Sequence, residues 1–157
     1  RLLDINPLLD LTVLEEFMET DKTIELIEKE PWDYVVDCID TLSAIVDLIK
    51  GCIDRKLNIV SSMGAGGKLD PSQIKVADLS KTYECNLARY VRKRLQALGI
   101  KKGLKVVFSS EKPDQSRIIE TENAYPKKSI IGTLSYMPAI FGCTVASVVI
   151  RDLMAID

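Results

Sequence analysis

Short runs of apolar residues alternate along the chain with longer amphipathic stretches. The short runs are rich in β-branched residues, which suit the pleated surface of a sheet, and they predict strands. The predicted strands are Leu11–Phe17, Tyr34–Ile39, Asn58–Ser62, Lys75–Leu79 and Leu104–Ser109. Stretches with an apolar residue every three to four positions predict helices instead. The predicted helices are Lys22–Lys29, Leu42–Arg55, Asn86–Leu98 and Pro138–Ile156, with the end of a further helix over Leu2–Pro7.

The order of these elements favours an α/β fold. Strands joined by helices form right-handed βαβ units and a parallel sheet. Tyr34–Ile39 carries apolar residues on both faces, which is typical of a strand covered by helices on both sides. We therefore expect residues 1–157 to form a single domain with a Rossmann-like, mainly parallel sheet flanked by helices. The polar stretch Asp114–Lys128 predicts a mobile loop or a short hairpin.

Carboxylates follow the predicted strand Tyr34–Ile39. Ligands of parallel sheets lie beyond the carboxyl ends of the strands, and this rule places Asp40 and the start of the next loop, Met63-Gly64, at one edge. One interpretation is that Asp40 holds the Mg²⁺ of bound ATP, since Mg²⁺ prefers carboxylate and phosphate oxygens. The alternative is that Asp40 or Thr41 caps the helix that follows.

A glycine-rich segment, Gly64-Ala65-Gly66-Gly67, follows the next strand. It would let the backbone approach a ligand closely, and Lys68 could meet a phosphate or a carboxylate. The alternative is a flexible connection between two strands. The segment continues into Lys68-Leu69-Asp70-Pro71 rather than a helix, so it is not the Gly-x-Gly-x-x-Gly turn that opens a dinucleotide-binding unit.

Charge is distributed unevenly, although the net charge of −2 favours no class of partner. Acidic residues dominate positions 14–40, whereas positions 86–108 contain no acid. The basic residues of that second stretch predict a surface that attracts a nucleic-acid backbone, and the alternative is an ordinary solvated helix face. The candidate contacts are Arg89, Arg92, Lys93, Lys101 and Lys102, of which the first three share a helical face by their spacing.

The four cysteines form no Cys-x-x-Cys pair, and the chain has no histidine. A zinc site or a disulfide framework is therefore not indicated, and a reducing cytoplasm is the expected compartment. Cys85 precedes a predicted helix, where a thiolate could be stabilised, but a small packing residue is the commoner role. Cys38, Cys52 and Cys143 are expected in the core.

No integral membrane span is expected from the sequence. Met137–Ile150 is free of charge over 14 residues, which is shorter than the roughly 20 residues needed to cross a bilayer. A buried helix or a helix at a subunit contact is the favoured interpretation.

Several segments resemble the ubiquitin-activating-enzyme-like (ThiF/MoeB/HesA) superfamily of adenylating enzymes. Asp33–Thr41 resembles its Asp-x-x-Asp strand end, and Ile5-Asn6-Pro7 resembles a segment that precedes a strand in the same proteins. Other segments are closer to one branch, the tRNA threonylcarbamoyladenosine dehydratases. These segments are Met63–Pro71, Val76–Thr82, Leu87–Arg92 and Val107–Pro113.

The resemblance implies an enzyme that uses ATP and Mg²⁺ to adenylate the threonyl carboxylate of a modified adenosine in tRNA and then closes it into a ring. It implies that Asp40 is the catalytic aspartate that contacts metal and ATP. The implied ATP-binding residues are Asp40, Thr41, Met63, Gly64, Ala65, Gly66 and Lys68. The implied partners are tRNA, a second copy of the chain and, as a further possibility, a sulfur-transfer or carrier protein.

The sequence also departs from the family pattern. The family's ATP loop and phosphate-binding basic residues precede the Ile-Asn-Pro segment, and here only five residues precede Asn6. We therefore expect a carboxyl-terminal portion that lacks the first nucleotide-binding βαβ portion and is inactive alone. Gly67 stands where the family has asparagine, which is a mild change. Two alternatives stay open: an activator of a ubiquitin-like sulfur carrier, disfavoured by the lack of zinc cysteines, and a non-catalytic RNA- or protein-binding module.

Overall fold

A computed structural model of the chain describes residues 1–112, 118–120 and 129–156. Five helices lie in this part of the chain: α1 (Leu2–Ile5), α2 (Thr20–Lys29), α3 (Leu42–Asp54), α4 (Asn86–Ala97) and α5 (Tyr136–Leu153). The strands are β1 (Val35–Asp37), β2 (Ile59–Ser62), β3 (Ile74–Asp78), β4 (Lys105–Ser109), β5 (Ile118–Glu120) and β6 (Ser129–Ile131). Short 3₁₀ turns cover Pro71–Gln73 and Leu79–Lys81.

Four strands form one sheet in the order β1-β2-β4-β3. β1, β2 and β4 run parallel, and β3 joins β4 in the antiparallel direction. β5 and β6 form a separate antiparallel pair. The prediction of an α/β fold with a mainly parallel sheet flanked by helices is therefore confirmed.

Alternate residues of the central strands feed two cores on opposite faces of the sheet. On one face Val106 and Phe108 of β4 pack with residues of α3 and α4, among them Ile49 and Leu95. On the other face Val60 of β2 and Val107 of β4 pack under α5. Because both faces are covered, the strands consist of nearly continuous apolar runs, as expected for parallel sheets.

Helix α5 lies across the second face through four buried side chains, Met137, Phe141, Val145 and Val148. Within the described residues it is the one helix whose length and composition would let it cross a bilayer. A single such helix is weak evidence for a membrane span; one face of α5 packs against the sheet, and most of its surface is exposed.

The predicted strand over Leu11–Phe17 is wrong. The segment has neither helix nor strand, and the side chains of Val13 and Phe17 are exposed. Alternating apolar residues form a strand only where another strand offers hydrogen bonds, and in the described part of the chain this segment pairs with none. By contrast, the predicted end of a helix before Pro7 is confirmed by α1, which ends at Ile5.

The predicted loop or hairpin over Asp114–Lys128 lies largely outside the described residues. Its described part, Ile118–Glu120, pairs in antiparallel register with Ser129–Ile131. This pairing supports the hairpin alternative for those residues.

Candidate functional site

The ends of two neighbouring strands are joined by a buried carboxylate. Asp37 closes β1 and lies in register with Ser61 of β2. Its Oδ2 accepts a hydrogen bond from the Ser61 hydroxyl, and its Oδ1 accepts one from the Ile39 amide at 3.0 Å. Burial raises the pKa of Asp37, and these two hydrogen bonds oppose that rise. Asp37 therefore fixes the turn that leads from β1 to Asp40.

Asp40 lies at the end of that turn and is exposed at the carboxyl edge of the sheet. The next residue, Thr41, is the N-cap of α3, and its side chain makes no capping hydrogen bond. The position of Asp40 before the N-cap leaves its carboxylate accessible from solvent. Of the two aspartates of the Asp-x-x-Asp motif, Asp37 is therefore buried and holds the turn in place, whereas Asp40 is exposed.

The segment after β2 begins inside the fold. The Met63 amide donates to the Val107 carbonyl at 2.8 Å, and the Met63 side chain is buried in the core. Gly64, Ala65 and Gly66 are partly exposed. Met63 is therefore nearly enclosed by the fold, whereas the next three residues present part of their surface to solvent.

Gly67 turns the segment through a left-handed conformation, with φ at +71°. Its amide donates to the Gly132 carbonyl at 2.9 Å. Asparagine is the residue that best shares glycine's tolerance of this conformation. The exchange of asparagine for glycine at this position is thus conservative in backbone terms, as the sequence indicates.

Lys68 is buried, with 3% of its surface exposed. Its ammonium donates to the Glu84 carbonyl at 2.8 Å and to the Glu111 carbonyl. Burial lowers the pKa of Lys68. The carboxylate of Glu111 in turn accepts hydrogen bonds from the amides of Leu69 and Asp70, at 2.8 and 2.9 Å.

These contacts make the segment 63–70 a tethered loop rather than a flexible connection. The Tyr136 hydroxyl at the start of α5 adds a further hydrogen bond, to the Leu69 carbonyl at 2.7 Å. The partners of Lys68 are backbone carbonyls, so its direct effect is to hold the loop in place. No feature of the sequence points to Glu111, because it lies far along the chain and reaches Leu69 only through the fold.

The predicted basic face of α4 is formed in part. Arg89 and Lys93 are exposed on the helix, and Lys101 and Lys102 are exposed in the turn that follows it. Arg92 is half-buried and has a different role. Its guanidinium donates to the Leu79 carbonyl, the Thr82 carbonyl and the Thr82 hydroxyl at 3.2, 2.9 and 2.6 Å.

Arg92 therefore ties α4 to the turn before it, and the shared spacing with Arg89 and Lys93 does not place it on the same surface. Arg94, which is exposed, adds a cation to the outer face of the helix instead.

All four cysteines are free thiols. Cys52 and Cys85 are buried, whereas Cys38 and Cys143 are exposed, so the expectation of a core position is wrong for the last two. Burial raises the pKa of Cys52 to about 11, which keeps it a neutral packing residue. Among the described residues, no cluster of three or more His, Cys, Asp or Glu side chains could hold a metal ion.

The chain is similar to proteins of a known family over nearly its whole length. The model of the ThiF family matches residues 1–156. A protein of Bacillus subtilis (strain 168) named tRNA threonylcarbamoyladenosine dehydratase is 35% identical over 161 residues, which cover 98% of this chain and 63% of the relative. The protein of the same name from Escherichia coli (strain K12) is 32% identical, over 99% of this chain and 64% of its own length.

Solved structures show the same likeness. The crystal structure of the E. coli enzyme TcdA in complex with ATP superimposes with a TM-score of 0.82 at 32% identity, over 98% of this chain and 60% of that one. TcdA in complex with AMP gives the same values. The chain thus spans less than two thirds of the length of these relatives. The match of the family model to nearly every residue confirms the resemblance and shows that the chain belongs to the ThiF family.

Proposed function

We propose that this chain serves an ATP-dependent tRNA threonylcarbamoyladenosine dehydratase. In that reaction the threonyl carboxylate of the modified adenosine is adenylated by ATP, and the activated carboxylate is then closed into a ring with net loss of water. The observation that carries the proposal is the sheet edge, where an exposed aspartate, Asp40, and a tethered glycine loop follow two adjacent parallel strands. The relatives at 32–35% identity carry this activity in their names.

The residues at this edge offer one exposed carboxylate for Mg²⁺ bound with ATP. Asp37 is buried, whereas Asp40 is exposed at the carboxyl edge of the sheet, so Asp40 is the carboxylate that would hold the metal. One carboxylate suffices when phosphate oxygens complete the shell, as is common for Mg²⁺. The metal, when bound, would offset negative charge that develops on the reacting phosphate.

The tethered loop supplies the other wall of the proposed nucleotide site. We assign the backbone of Met63, Gly64, Ala65 and Gly66 to this wall, and Thr41 to the opposite rim. Lys68 is assigned a positioning role, because its ammonium already binds two carbonyls. It would act on the nucleotide through the loop that it holds.

The proposed macromolecular partner is tRNA. Arg89, Lys93, Lys101 and Lys102 are exposed and would contact its phosphates. We further propose a homodimer in the cytoplasm. Four free thiols favour a reducing compartment, and exposed apolar residues near the end of α5, such as Ile150 and Leu153, suit a contact between copies. A carrier protein as an additional partner stays a prediction of the sequence.

The test uses the protein expressed from its complete open reading frame. It is incubated with ATP, Mg²⁺ and tRNA that carries threonylcarbamoyladenosine, and the digested nucleosides are measured by mass spectrometry. We expect ATP-dependent conversion to the cyclic nucleoside. Absence of conversion under conditions where the E. coli relative converts the same tRNA would refute the proposal.

A further inference from the structure

Two exposed tyrosines near the start of α4 each lie beside a cation. The Tyr90 ring has the Arg89 guanidinium 4.6 Å from its centroid, and 49% of Tyr90 is exposed. Tyr83 is 50% exposed, and its hydroxyl accepts a hydrogen bond from the Lys75 ammonium at 2.8 Å, so this cation lies at the hydroxyl end of the ring, 5.4 Å from its centroid. Single exposed tyrosines are common, but the guanidinium held over the Tyr90 ring makes this position both aromatic and cationic.

Tyr90 is surrounded by positive charge on the outer face of its helix. Ala88, Val91 and Leu95 bury the opposite face against the core. Lys93 and Arg94, three and four residues after Tyr90, are exposed on the same side. No acid occurs anywhere from position 86 to 108, and the exposed Glu84 precedes the helix.

This combination matches what unpaired RNA requires. Bases without a pairing partner stack on aromatic rings or on arginine guanidinium planes, while nearby cations neutralise the phosphates. A double helix keeps its bases inside and would use only the cations. Such a surface would favour looped over paired RNA through its aromatic component.

We propose that Tyr90 and Arg89 form a stacking platform for an unpaired base of the RNA substrate. The choice of a tRNA loop as the RNA rests on the proposed function. The stacking itself rests on the exposed Tyr90 ring and the Arg89 guanidinium over it, and these observations do not depend on the catalytic assignment.

The test measures the binding of two fluorescein-labelled RNAs to the complete protein: a tRNA anticodon stem-loop, and a duplex of the same length. Tyr90→Ala is expected to weaken stem-loop binding roughly tenfold, because removing the ring removes the stacking free energy of one base. Duplex binding should stay unchanged. Tyr90→Phe keeps the ring and should bind within about twofold of wild type, which is the matched control. Tyr90→Leu keeps apolar area without a ring and should behave like Tyr90→Ala.

Salt dependence separates stacking from charge. Tyr90→Ala should leave the slope of log affinity against log salt unchanged, whereas Lys93→Gln should lower it by about one. The proposal is overturned if wild type does not bind the stem-loop, if Tyr90→Ala and Tyr90→Leu bind it as wild type does, or if both RNAs lose affinity equally. Nucleoside conversion by wild type is measured in parallel. Conversion without an effect of Tyr90 removes only this inference, and stacking without conversion removes only the catalytic proposal.

Discussion

The carboxylate of Asp37 accepts a hydrogen bond from the hydroxyl of Ser61 directly across the two parallel strands that end at the candidate site. Both side chains are fully buried. A buried carboxylate is costly unless hydrogen bonds stabilise it, so a pair at this position locks the register of β1 and β2 where their carboxyl ends meet. The position of the exposed Asp40, three residues after Asp37, depends on this hydrogen-bonded pair.

The pair predicts a pH dependence of stability. Burial raises the pKa of Asp37 above the ordinary value of 3.8, so the folded protein keeps this proton to a higher pH than the unfolded chain does. The unfolded chain binds fewer protons in that window, and the free energy of unfolding falls as the pH rises through the folded pKa. Asp37→Asn removes this pH-dependent contribution to the free energy of unfolding. Urea unfolding of both proteins from about pH 4 to pH 7 should show the variant gaining stability relative to wild type as the pH rises.

Ser61→Ala serves as the companion variant. It removes a hydrogen bond that lowers the pKa of Asp37, so the fall in stability should extend to higher pH than in wild type. Parallel curves of unfolding free energy against pH for wild type and Asp37→Asn would contradict the account.

The catalytic assignment predicts a selective effect at Asp40. Asp40→Ala in the complete protein should reduce the conversion of threonylcarbamoyladenosine by about a hundredfold or more, because a charge that would offset the reacting phosphate is lost with the metal. The free energy of unfolding, measured by thermal denaturation, should stay within about 0.5 kcal/mol of wild type, since Asp40 is exposed. Asp33→Ala is the control, because Asp33 is an exposed aspartate at the opposite end of β1, outside the Asp-x-x-Asp pair. Near-normal turnover of Asp40→Ala would refute the metal role.

The sequence predicts the layered fold well and the site only in part. Periodicity identifies the four strands of the main sheet and the helices α2 to α5, because burial on one or both faces leaves a repeating pattern. The same reasoning fails at Leu11–Phe17, since a pattern does not reveal whether a partner strand is present. It also fails to separate Arg92 from Lys93, because spacing places residues on a helix but does not say which side chain finds carbonyl partners.

The loop illustrates the same limit at the site. A lysine after three glycines predicts a group that meets a ligand, yet Lys68 points to the carbonyls of Glu84 and Glu111. That partnership depends on how β4 and the start of α4 fold around the loop. Long-range contacts of this kind leave no local signature.

The left-handed backbone at Gly67 predicts a graded response to substitution. Gly67→Val should lower the free energy of unfolding by about 1–2 kcal/mol, because a β-branched side chain is strained at positive φ. Gly67→Asn should cost less than about 1 kcal/mol, since asparagine tolerates this conformation. Both changes in the free energy of unfolding are to be measured by urea denaturation.

A second glycine provides the contrasting control. Gly142 lies within α5, and a Cβ there would meet no atom within 4 Å. Gly142→Ala should therefore stabilise the protein by roughly 0.5–1 kcal/mol through helix propensity. Equal costs for valine and asparagine at position 67 would show that the loop does not hold the left-handed conformation.

The tethering role of Lys68 predicts a structural defect that precedes any catalytic one. Lys68→Met keeps most of the buried volume but leaves the carbonyls of Glu84 and Glu111 without their donor, so the free energy of unfolding should fall by about 2–4 kcal/mol. Lys112→Met, at an exposed lysine next to Glu111, should change it by less than about 0.5 kcal/mol. Hydrogen exchange at the amides of Leu69 and Asp70 should accelerate in Lys68→Met alone, because the shared anchor at Glu111 is lost. Unchanged exchange and unchanged stability in Lys68→Met would return Lys68 to the role of a direct phosphate ligand.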